Sequence, residues 1–115
     1  MDRRAIGQKA EEEAVLYLFA NGYEIRARNW RWKRSEIDII AAKENELIFV
    51  EVKFRKNEEY GYPEEFLSDE QEERIHLAAE AYCDLVNWQG DVRFDIIAIL
   101  QNALPTHLEH LEDAF

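Results

Sequence analysis

Apolar residues recur at helical spacing from about Arg4 to Asn21. Ile6, Ala10, Ala14 and Leu18 follow one another at intervals of four, with Val15 and Tyr17 beside them. Asn21-Gly22 supplies a stop, because glycine accepts the left-handed conformation that closes a helix. From Tyr23 to Trp30 the pattern changes to strict alternation, with Tyr23, Ile25 and Ala27 set against Glu24, Arg26 and Arg28, which predicts an edge strand with one solvated face. Glu36 to Ala42 and Leu47 to Arg55 are rich in Ile, Val and Phe. The short polar link Lys43 to Glu46 favours joining them as an antiparallel hairpin at the centre of a sheet.

A loop with Tyr60-Gly61-Tyr62-Pro63 comes next. Ser68-Asp69-Glu70-Gln71 then fits a capping box, predicting a second helix to about Val86. Asp91 to Leu100 reads as a strand apolar on both faces after Asp95, and a β-helix-β crossover makes it parallel to the strand around Phe49. His107 to Phe115 fits either a short last strand or a frayed turn. The order α-β-β-β-α-β predicts an α/β sandwich, a mixed central sheet flanked by helices, in a single domain spanning 1–115.

At 115 residues and 47% hydrophobic content the chain can bury one shared core. No run approaches the length of a membrane span and the N-terminus turns acidic early, so a cytoplasmic protein with no membrane partner is expected. The one cysteine, Cys83, excludes an internal disulfide and a cysteine zinc site. A net charge of −11 opposes nucleic-acid binding. That charge is segregated, however: residues 22–56 carry 9 basic and 6 acidic side chains, whereas 57–91 carry 1 and 11. A local basic path is therefore compatible with an acidic whole.

Candidate chemistry falls in the basic stretch. In Leu47 to Phe54, Leu47, Phe49, Glu51 and Lys53 share one face, so a face that begins apolar ends in an acid and an amine. Glu36 and Asp38 share a face of the preceding strand, and hairpin pairing can bring them beside Glu51 and Lys53. Carboxylates converging near a lysine suit a divalent cation such as Mg2+, with Mn2+ as a substitute, which can bridge to a phosphate and activate water. Lys53 would orient or deprotonate that water. The same spacing also fits an ordinary hairpin with an Asp38–Lys53 ion pair.

Glu11 continues the apolar stripe of the first helix, either as a further ligand or at its solvent margin. Gln71 fits capping and equally a phosphate contact from the helix start. Arg26, Arg28, Arg31, Lys33 and Arg34, with Trp30 and Trp32 interleaved, suit phosphate contacts and base stacking; the tryptophans equally suit burial under a loop. His107 and His110 lack a third ligand nearby and read as surface residues, as does His76.

Together these residues resemble a known family, the bacterial YraN-like uncharacterised proteins. These are predicted endonucleases related to Holliday junction resolvases in the PD-(D/E)XK nuclease superfamily. The resemblance rests on Gly7, Glu11 and Ala14, on Gly22 to Asn29, on Ser35 to Ala41 (SEIDIIA), on Phe49 to Arg55 (FVEVKFR), on Gly61 to Glu65, on Arg93 to Asp95 and on Ala114-Phe115. It implies a restriction-endonuclease-like fold, with Asp38, Glu51 and Glu11 as metal ligands and Lys53 as the catalytic lysine. Glu36 and Gln71 would be auxiliary, and Arg55 joins the basic residues facing nucleic acid. DNA, branched or structured forms included, is the implied substrate, and a homodimer is left open. Two departures stand out. Ser35 replaces a usual glycine, and Gln71 replaces a usual lysine, removing a positive charge from the phosphate path. The alternative is a nucleic-acid-binding module that keeps the nuclease fold without catalysis; a third reading is a protein-interaction surface around Glu64 to Glu73.

Overall fold

In the computed structural model, which describes residues 3–55, 67–100 and 107–115, seven elements follow one another. They are α1 (Arg3–Ala20), β1 (Glu24–Trp32), β2 (Ser35–Lys43), β3 (Glu46–Arg55), α2 (Asp69–Val86), β4 (Asp91–Leu100) and β5 (His107–Leu111). The Tyr60 to Pro63 turn, the Gly61 to Glu65 motif and Glu64 of the acidic surface lie outside the described residues.

Local chemistry sets the helix ends. Gly22, at φ 87°, closes α1 in a Schellman motif, with Gly22 N–H donating to Phe19 O (3.1 Å) and Tyr23 N–H to Leu18 O (3.0 Å). The capping box of α2 is complete: Gln71 N–H donates to Ser68 Oγ (3.2 Å) and Ser68 N–H to Gln71 Oε1 (2.9 Å). Asn87, not a glycine, takes the left-handed position after α2, and Trp88 N–H donates to Cys83 O at 2.9 Å.

The five strands lie in the order β1-β2-β3-β4-β5, so the sheet is mixed: β3 and β4 run parallel and every other pair is antiparallel. β1 is an edge, as its alternation predicts, but continues through Trp32 to a two-residue turn in which Lys33 adopts φ 55°. The last segment resolves into a second edge strand, β5. The crossover through α2 joins the parallel pair, and both central strands are buried on two faces.

One layer packs α1, through Ala10, Ala14 and Leu18, against Ile39, Ala41, Ile48, Val50, Ile97 and Ile99. The other packs α2, through Ile75, Ala78, Ala79 and Tyr82, against Ile37, Ile40, Leu47, Phe49 and Ile96. No helix among the described residues is long and apolar enough to cross a membrane.

A polar network fastens β5. Asp95, with no exposed surface, accepts from Arg93 Nε (2.9 Å) and Nη2 (2.8 Å), from Asp113 N–H (3.0 Å) and from His110 Nε2 (2.7 Å). A carboxylate only accepts, so the His110 proton sits on Nε2. Nδ1 hydrogen-bonds the Tyr17 hydroxyl of α1 at 2.9 Å. His110 is therefore not a surface residue, its side chain being 7% exposed, whereas His107 is exposed and His76 is exposed but stacked on Phe115 and tilted against Phe94. Arg93 extends the network to Glu46 (2.9 Å) and the Tyr23 hydroxyl (2.9 Å).

Burial pushes the Asp95 carboxyl up, but bonds from His110, Arg93 and Asp113 outweigh it and hold it below its ordinary value of 3.8. Its contribution to stability is present above the ordinary carboxylate pKa and is lost as pH falls through the lower folded value. Asp95→Ala takes from the buried His110 imidazole its carboxylate partner and leaves the half-buried Arg93 guanidinium with its outer partners, Glu46 and Glu112. Urea denaturation at neutral pH should show a loss of about 3–5 kcal/mol; a loss below about 1 kcal/mol would mean the network is not a buried ion-pair system.

Candidate active site

Asn29 interrupts β1 with φ 50°, a conformation asparagine tolerates better than most residues. It stands between Arg28, paired with Ile39, and Trp30, paired with Ile37, and so faces Asp38 across the β1–β2 ladder. At this point β2 loses its alternation: Ile37 and Ile40 both pack into the α2 layer while Ile39 enters the α1 layer. Asp38 consequently does not share a simple face with Glu36. Its Oδ2 accepts the Val52 backbone N–H of β3 at 2.8 Å, just beyond Ile39↔Val50, the last pair of the β2–β3 register.

Glu51, one residue before Val52, keeps the alternation of β3 and faces the α2 layer with Phe49. It is 8% exposed, and its Oε1 is buried without a hydrogen-bond partner. An orphaned carboxylate oxygen in that position has lost its water and gained nothing from the protein. Burial pushes Asp38 up to about 7; Glu11 and Glu36 add to the rise, while the Val52 N–H and Lys53 oppose it. Burial likewise pushes Glu51 up to about 8, reinforced by Asp38 and Glu11 and opposed by Lys53 and the Asp38 backbone. Lys53 is half-buried and makes no ion pair within 4.0 Å among the described residues, so the Asp38–Lys53 bridge of an ordinary hairpin is not formed. Its charge nonetheless opposes the rise in the pKa of both acids.

Glu11 approaches from α1, in the opposite layer. Asn29 Nδ2 donates to Glu11 Oε1 at 2.8 Å and to Glu36 Oε1 at 3.2 Å, while Arg31 Nε donates to Glu36 Oε2 at 3.0 Å. Asn29 thus joins the two outer acids, a role its place in a basic, aromatic stretch does not announce. Among the described residues no three acid, histidine or cysteine side chains stand close enough to form a ready-made metal cage. Asp38 and Glu51 nonetheless fit a hard cation: two carboxylates are a sufficient protein share for Mg2+, which keeps several waters, and the orphaned Glu51 Oε1 supplies an uncommitted donor.

Glu51 also reaches an open cleft of about 130 Å³ lined by Arg34, Ser35, Glu36, Gln71 and Arg74 over an apolar base of Leu67 and Ile75. Gln71 therefore caps α2 and lines the cleft at once. Sequence reasoning passed over Arg74, although it is the one basic residue in 57–91.

The other basic residues disperse. Arg26 pairs with Glu24, Lys33 sits over the Trp32 ring at 4.5 Å, Arg55 donates to the Phe54 carbonyl at 2.9 Å, and Arg28 is exposed. Trp30 packs edge-on against Tyr82 with ring centroids 5.2 Å apart, and Trp32 packs on the same core, so neither is a free stacking platform.

Folded Asp38 and Glu51 hold protons more tightly than the unfolded chain, so the contribution of these two acids to stability without metal is fully present below about pH 4 and is lost as pH rises through about 7 and 8. Glu51→Gln, which mimics the protonated acid, should match the wild type in EDTA near pH 5. Near pH 8.5 it should exceed it by on the order of 2 kcal/mol, part of the ~1.4 kcal/mol per pKa unit being relaxed away. Equal stability at both pH values would show that Glu51 is not held in a desolvated site.

Residues 10–99 match the model of a family described as "Uncharacterised protein family UPF0102". A UPF0102 protein of Phocaeicola vulgatus is 42% identical over 114 residues, covering 99% of this chain and 94% of that one. One of Cytophaga hutchinsonii is 45% identical over 102 residues (89% and 90%), and one of Christiangramia forsetii 41% over 114 (99% and 96%).

Proposed function

We propose that this chain, which belongs to the uncharacterised protein family UPF0102, is a metal-dependent endonuclease that hydrolyses phosphodiester bonds in DNA. UPF0102 is the YraN-like family that the sequence resembles. Its name carries no activity, so the reading rests on the site. The observation that carries it is the buried, partnerless Oε1 of Glu51 beside a second, half-buried carboxylate, Asp38. Two such acids held near a lysine are costly unless a cation completes them.

A divalent cation bound there supplies Lewis acidity and charge neutralisation at the scissile phosphate. The Val52 N–H fixes the Asp38 carboxylate, leaving Oδ1 to a ligand. Lys53 Nζ, unpaired by any acid among the described residues, would orient the attacking water, take its proton when deprotonated, or neutralise charge on the phosphorane. Asn29 restrains Glu11 and Glu36, holding negative charge close to the pair without adding to it directly.

Pure protein should nick or cut linear, single-stranded or junction DNA with Mg2+ or Mn2+. Asp38→Asn should reduce cleavage to background, and Lys53→Ala should slow it about 10²–10⁴-fold. Circular dichroism should show both variants folded. No cleavage of any of these substrates with either metal would end the enzymatic reading.

The lack of a third ligand among the described residues favours a second reading, a nucleic-acid-binding module without catalysis. Binding would then be salt-sensitive, metal-indifferent and weakened by changes at Arg28 or Arg31.

A further inference from the structure

We infer that Arg34 and Arg74 form a clamp for a backbone phosphate of the DNA strand, placed in the cleft that opens beside Glu51. The inference rests on the nuclease reading above and names the part of the substrate that this cleft takes.

The cleft contains unmatched charge. Were it a structural ion-pair network, its two guanidiniums would neutralise Glu36 and Glu51. Instead Glu36 is engaged by Arg31 and Asn29, from β1, and Glu51 Oε1 has no partner. Arg34, in the β1–β2 turn, makes no hydrogen bond or ion pair among the described residues. Arg74 is held only to Glu70, by a long hydrogen bond from Nε to its carbonyl (3.4 Å) and a loose ion pair at 3.6 Å between side chains 56% and 86% exposed, contacts that hold an arginine weakly. Gln71 Oε1 is used by the cap, while its Nε2 makes no hydrogen bond among the described residues.

An acid on one side and free guanidinium and amide donors on the other call for a ligand carrying both signs. A phosphodiester with a divalent counter-cation is such a ligand, and guanidinium forks match phosphate oxygens in pairs.

Size and helix chemistry narrow the choice. At about 130 Å³ the cleft is well below the ~300–1,000 Å³ of pockets that enclose a whole small molecule, so it suits one group of an extended ligand. The start of α2 is not an anion site by itself: Ser68 already caps it, and Asp69, Glu70 and Glu72 make its first turn acidic. Side chains must therefore do the holding. On a chain of net charge −11, a local clamp is also what gives a polyanion purchase.

The test uses the full chain as wild type, Arg34→Gln, Arg74→Gln, the double variant, and Lys9→Gln, an exposed α1 charge, as control. Calorimetry measures Mn2+ alone. Fluorescence anisotropy measures a short labelled DNA duplex in Mn2+ and in EDTA, with the duplex checked intact by gel. Mn2+ affinity should stay within about twofold in every arginine variant, and each arginine change should weaken duplex binding about fivefold or more. Each should also lower the slope of log affinity against log salt by about one.

Duplex binding by the double variant equal to that of the wild type, or an equal loss in Lys9→Gln, would overturn the clamp. Release of the duplex from the wild type by millimolar inorganic phosphate would mark a site for free phosphate and overturn the backbone assignment. If Mn2+ gives no heat and no cleavage is seen, yet the double variant still loses the duplex, the clamp stands and the nuclease reading falls.

Discussion

The carboxylate of Asp38 takes a bond that a regular antiparallel ladder would give to a backbone carbonyl, the Val52 N–H of the neighbouring strand. Opposite it Asn29 adopts the left-handed conformation, and β1 and β2 lose their alternation together there while their register holds from Ala27 to Trp32. The sheet opens at this end, and the acids of β2 and β3 meet in the gap rather than on a flat, solvated face. Burial of Glu51, the rise in both acids' pKa values and access to the cleft all follow from it.

The fold itself was legible because its signals are local. The apolar runs of β3 and β4 mark strands buried on both faces, Ser68 and Gln71 mark the start of α2, and Gly22 marks the end of α1. The strand order follows from one short hairpin link and one helical crossover, both readable as lengths. His110 could not be read this way. Its partners are Asp95 on another strand and Tyr17 on the first helix, 93 positions away, and no periodicity in a nine-residue tail encodes them.

The residues of the candidate site stand out in the sequence, whereas its geometry does not. Asp38, Glu51 and Lys53 stand out because charges end otherwise apolar strands, and the structure brings the two acids into mutual influence. The placement of Asp38 within the sheet, however, depends on a backbone break in a different strand. The tryptophans of β1 illustrate the opposite case: an arginine-tryptophan stretch suggests a nucleic-acid surface, yet packing against Tyr82 turns Trp30 inward and leaves the basic residues to separate tasks. Gln71, where the resemblance expects lysine, finds a balance in Arg74 one turn later on the same cleft.

The Asp95 network has a mechanical corollary. Through His110 and Tyr17 it laces β5, at one margin of the sheet, to α1, which lies across one face, and α1 carries Glu11, at its middle, to Asn29 of β1. Fraying of the final strand would release the Tyr17 anchor and let that helix pivot. The last strand of the sheet and the helix that carries Glu11 are thus tied by side chains as well as by the packed core, a mechanical linkage between one margin of the sheet and the place where its chemistry is proposed.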